Sequence, residues 1–63
     1  MDLATLRAKF LKLVASVPQP LRAEVIAIVD NEPYSWSVAY AEVKQNTETG
    51  DKILKRLKEI GVI

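Results

Sequence analysis

Three groups of breakers decide what this chain can fold into: Pro18-Gln19-Pro20, Asp30-Asn31-Glu32-Pro33 and the glycine-containing Thr47-Glu48-Thr49-Gly50. Proline lacks the N–H that continues a helical ladder and disfavours helical dihedrals at the residue before it, while glycine and asparagine admit turn conformations. Four short segments remain between and beside the breakers. At 63 residues they form one domain, 1–63. A chain of that size buries only about 60% of its unfolded surface, so each segment has to contribute to a single small core.

The first segment, Asp2 to Val17, carries Leu3, Leu6, Phe10, Leu13 and Val17 at alternating spacings of three and four, one apolar stripe on a helix. Asp2 is its expected N-cap, because a carboxylate there accepts from the free N–H groups of the first turn. In the second, "PLRAEVIAIVDNEP", Pro20 suits a first helical turn, and Leu21, Val25, Ile28 and Val29 share a helix face. The β-branched run "EVIAIV" also fits a buried strand. The third, "SWSVAYAEVKQN", offers Trp36, Ala39, Tyr40 and Val43 at helical spacing, with Ser35 as a cap. Trp36, Val38 and Tyr40 alternate as on a strand, but the alanines, Glu42, Lys44 and Gln45 favour helix. The fourth segment reads most clearly. Asp51 or Thr49 can cap it, Ile53, Leu54, Leu57 and Ile60 form its stripe, and Gly61 stands where a helix stop needs positive φ.

The fold class expected from these segments is all-α, a small domain of four helices, with a hairpin over 24–43 (helix–strand–strand–helix) as the alternative. Residues 2–17 would be an N-terminal helix and 20–63 a helix-turn-helix core.

No cysteine and no histidine occur, which removes disulfides, thiolate metal sites, the commonest metal ligand and the usual general base at neutral pH. Asp30, Glu32 and Glu42 are the carboxylates able to meet around a hard cation, and they read more simply as solvent-facing. "NTETG" lacks the lysine-hydroxyl pair of a phosphate-binding loop. The expectation is a non-enzymatic protein with no cofactor and no metal. "MDLATLRAKFLKLVASV" is interrupted by Arg7, Lys9 and Lys12, so it reads neither as a signal peptide nor as a membrane span. A soluble cytoplasmic domain without membrane contact is expected.

Charge is segregated. Residues 1–22 hold four basic side chains against Asp2, a net of +3; residues 23–43 hold four acids and no base; residues 44–63 hold five bases against three acids. Such a division can leave one face attractive to phosphate while the total stays at +1. If the third segment ends near Asn46 and the fourth starts at Asp51, the connector Thr47–Gly50 has the length and glycine of a helix-turn-helix. The face opposite the apolar stripe then shows Lys52, Lys55 and Arg56, placed for phosphates, with Thr47 and Thr49 at the leading end to position the helix on base edges or backbone.

From Leu21 to Ile63 the chain resembles the core of winged-helix DNA-binding regulators. "PLRAEVIAIVDNEPYSWSVAYAEV" is similar to their first two helices, and "KILKRLKEIGVI" to the end of their recognition helix. Gly61-Val62-Ile63 would match the glycine and first strand residues that follow that helix, and the resemblance stops where the wing hairpin begins. It implies a regulatory or architectural protein that places helix 51–60 on double-stranded DNA. Leu3, Leu6, Phe10, Leu13 and Val17 would then serve as a homodimer interface, setting two recognition helices in successive grooves. The alternative is a helical protein–protein interaction module without nucleic-acid binding, its contact surface being the apolar first helix and the acidic middle segment. Trp36 and Tyr40 are expected in the core rather than stacked on bases.

Overall fold

The computed structural model describes residues 2–63. Helix α1 (Leu3–Ala15) leads through a single 3₁₀ turn at Gln19–Leu21 into strands β1 (Val25–Val29) and β2 (Glu32–Ser35), followed by helices α2 (Trp36–Lys44) and α3 (Glu48–Glu59). The strands form an antiparallel hairpin. The four-helix, all-α expectation is therefore overturned: the second segment is a hairpin, and Pro20 lies within a 3₁₀ turn, Gln19–Leu21, instead of starting a helix.

The physical reason lies in two local features. Val25, Ile26, Ile28 and Val29 branch at Cβ, which restricts their rotamers in a helix and suits them to a pleated surface. Asp30 and Asn31 then take φ of +52° and +65°, the two left-handed residues that reverse a chain in register with strand twist. Val29 pairs with Glu32 directly across that turn. The hairpin alternative over 24–43 also needs correction. Its first strand forms, but the second is only Glu32–Ser35, and residues 36–44 are helical. Ser35 makes the switch, its Oγ accepting from the Val38 N–H at 3.2 Å.

The helix ends follow from named side chains. Asp2 caps α1, Oδ1 accepting from the Thr5 N–H at 2.8 Å. That backbone hydrogen bond holds the Asp2 carboxyl below its ordinary pKa. Helix α3 starts earlier than expected, because Thr47 rather than Thr49 or Asp51 is the cap, its Oγ1 accepting from the Gly50 N–H at 2.9 Å. At the other end Gly61 takes φ +84°, Val62 N–H donates to the Leu57 carbonyl at 2.9 Å and Gly61 N–H to Lys58 at 3.1 Å. Those two bonds close the helix as its glycine foretold.

One core joins every element: Leu6, Phe10 and Val14 from α1, Ala27 and Val29 from β1, Ala39 and Val43 from α2, and Ile53, Leu54 and Leu57 from α3. Phe10 stacks on Trp36 with ring centroids 6.0 Å apart and planes at 15°. Tyr40 and Trp36 both pack against this core. Helix α3 lies at its centre, with α1, α2 and β1 all in contact with it.

Candidate functional site

The five residues expected on DNA do not form one free surface. Thr47 is half-buried and committed to the α2–α3 turn: besides capping α3, its hydroxyl lies 2.8 Å from Glu42 Oε1 and 3.2 Å from the Glu42 carbonyl. Thr49 is half-buried as well. Of the five, only Lys52, Lys55 and Arg56 are exposed, on a strip of α3 between α1 and β1.

Acids sit on that strip. Lys52 Nζ donates to Asp30 Oδ2 at 2.9 Å, a hydrogen bond that raises its pKa from the ordinary lysine value. Arg56 stands 3.5 Å from Glu59. Both pairs are exposed and screened by solvent, so they modulate rather than lock these side chains. Among the described residues Lys55 makes no ion pair. At the leading end of α3, Asp51 pairs with Arg7 of α1 at 3.3 Å and Glu48 is exposed. The helix end that would lead into a groove is thus acidic, and it is tied to α1.

The stripe expected to form a dimer is spent largely inside the protomer. Leu6 and Phe10 belong to the core, Leu3 packs against it, and Leu13 and Val17 are half-buried. Asp30, Glu32 and Glu42 do not converge; Asp30 faces Lys52 and Glu42 faces Thr47. Among the described residues no helix is long and apolar enough to cross a membrane.

What the sequence reading missed is the outer side of the hairpin. β1 has one strand neighbour, β2, so the backbone groups along its other edge have no partner strand. Val25 and Ile28 are each 57% exposed there, and Ile60 at the end of α3 is 53% exposed. Together with Arg56 they line a shallow cleft along the strand. Beside it a second cleft runs from Ile28 and Asp30 to Lys52, Lys55 and Arg56. On a helix, Val25 and Ile28 would share the buried face with Leu21 and Val29; on the strand they are exposed while Ala27 and Val29 turn into the core. The signal was present in the β-branched run ending at Asp30-Asn31, a two-residue reversal.

No protein family, no curated protein and no solved structure matches this chain.

Proposed function

We propose that this chain is a non-catalytic protein–protein interaction module whose contact surface is the open edge of β1 together with the exposed strip of α3. One observation carries the reading: β1 presents an edge with no charged residue and no proline, flanked by exposed Val25, Ile28 and Ile60. Stable monomers blunt such edges with lysine, proline or a covering element, because unpaired N–H and C=O groups recruit another strand. Recognition by strand addition uses the same groups for affinity and neighbouring pockets for specificity. The two clefts beside β1 supply pockets of that kind, one apolar and one basic. The setting is cytoplasmic in this reading, in keeping with the cysteine-free composition.

A photo-reactive benzophenone side chain at Ile28 tests it in the producing cell, with the same group at exposed Ala8 of α1 as control. Discrete protein adducts should form from Ile28 and not from Ala8. No adduct at Ile28, or equal labelling at both sites, would overturn the proposal.

Double-stranded DNA is a second reading, supported by the shared exposure of Lys52, Lys55 and Arg56 on α3. Three phosphate contacts would make log K fall against log salt with a slope of about −2.7. The acids Asp30, Glu48 and Glu59 around that strip favour the protein reading.

A further inference from the structure

We infer that the occupant of the β1 edge is a second copy of this chain, paired antiparallel through β1 to give a continuous four-stranded sheet. The inference rests on the interaction surface proposed above and names its partner.

The two edges of the hairpin are not equivalent. β2 carries Glu32, and Pro33 has no N–H to offer a further strand. β1 reads Val-Ile-Ala-Ile-Val, with neither obstacle; its register shifts by one residue between Val25 and Ala27, so the regular pairing stretch is Ala27–Val29. A strand of the same composition is therefore a compatible neighbour for β1 and a poor one for β2. Closed symmetry sets the direction. A two-fold axis makes each patch meet itself, and a two-fold perpendicular to the sheet, which keeps the two hairpins in one continuous sheet with matching faces, runs the paired strands antiparallel.

Charge chooses the same arrangement. Glu24 is exposed just before β1, and among the described residues it makes no ion pair. At the opposite end of the strand, beside Ile28 and Val29, lies the cleft lined by Lys52, Lys55 and Arg56 together with the acids Asp30 and Glu59, three bases against two acids. Antiparallel pairing carries the Glu24 end of each copy to the basic end of its neighbour. There Lys52 is already engaged by Asp30, and Lys55 is the cation without an acid. The two-fold repeats this contact, so both copies place Glu24 near Lys55. A parallel pairing would instead bring Glu24 against Glu24. Across the interface Val25, Ile28 and Ile60, which border the edge and are exposed in the monomer, would gain apolar neighbours from the added strand and be partly shielded from water. A net charge of only +1 opposes the approach of two copies little.

Sedimentation equilibrium of the full chain, from roughly 20 µM to about 1 mM, decides the matter. The apparent mass should climb from the monomer's 7.0 kDa toward twice that value. Ile28→Lys should hold it at the monomer mass throughout, since lysine on an edge strand prevents pairing. Glu24→Lys should weaken the dimer on the order of tenfold, because like charges then face each other. Combining Glu24→Lys with Lys55→Glu should recover most of that loss. These positions are exposed, and a thermal melt of each variant verifies that it folds. A monomer at the highest concentration overturns the inference, as does a dimer indifferent to Ile28→Lys and to the charge exchange. A monomer that still forms photo-adducts at Ile28 with other proteins rejects the second copy and leaves the interaction surface standing; a monomer with no adducts rejects both.

Discussion

Replacing Phe10 by alanine should leave this chain mostly unfolded at 25 °C. Phe10 has no exposed surface, stacks on Trp36 and sits where α1 meets the rest of the core. Deleting a buried phenylalanine ring costs about 3–5 kcal/mol, through lost transfer energy and the cavity left behind. A domain of 63 residues has a total stability of roughly 3–9 kcal/mol at the usual 0.05–0.15 kcal/mol per residue. The lower half of that range is consumed by the one substitution. Far-ultraviolet circular dichroism should show the loss of helix, and a urea titration should find its midpoint near zero denaturant. A variant with a native spectrum and a midpoint close to that of the parent would mean that α1 is dispensable to the core.

Gly50→Ala is the second large effect, and its origin is steric. A Cβ on Gly50 would lie 2.7 Å from the Glu42 carbonyl oxygen, 2.9 Å from its carbon and 3.0 Å from Val43 Cα. All three are backbone atoms of α2, so no side-chain rotation relieves the clash. Alanine ordinarily favours a helix over glycine by about 1 kcal/mol, and here that gain is opposed by forcing two helices apart. Overpacking of this kind costs about 1–3 kcal/mol, occasionally more. With the clash against backbone near the upper end of that range, the net loss is about 2 kcal/mol, and the thermal midpoint should fall by roughly 8–16 °C at about 4–8 °C per kcal/mol for a domain this small. A rise in the midpoint would show that the α2–α3 contact is looser than its geometry implies. Gly61→Ala offers a useful contrast: it meets no atom within 4 Å, and its penalty comes from φ +84° alone.

Much of the helical structure was legible in the sequence. Leu6 and Phe10 on one stripe placed α1, Asp2 marked its start, and Gly61 marked the end of α3. Those signals are local, and local energetics decide them. The middle of the chain was harder because "EVIAIV" satisfies helical and strand spacing together. Packing resolves that ambiguity: Ala27 and Val29 reach the core from one face of a strand, and the Asp30-Asn31 reversal commits the chain to return beside it. The winged-helix resemblance likens residues 20–43 to two helices, whereas the first of these is the hairpin, set before the helix pair. Val62 and Ile63 follow α3 outside any strand.

The candidate site shows the same division. Exposure of Lys52, Lys55 and Arg56 was readable from their position opposite Ile53, Leu54 and Leu57. Asp30, separated from Lys52 by the whole of α2, was not, because their pairing depends on where the hairpin folds back. Nor could the fate of Thr47 be read: its hydroxyl is occupied by Glu42 and Gly50 once the two helices meet. An exposed Val25 and Ile28 emerge only when the segment is known to be a strand at the rim of a two-stranded sheet.

A protein interface at the β1 edge and the α3 strip, occupied by a second copy, has a signature that depends on concentration. Backbone amide shifts recorded by NMR as the chain is concentrated from roughly 20 µM to about 1 mM test it most directly. The account predicts progressive shifts confined to Glu24–Asp30 and to Lys55, Arg56 and Ile60. Shifts centred instead on Leu3, Leu13 and Val17 would move the interface to α1, and a spectrum that does not change with concentration would contradict self-association through β1.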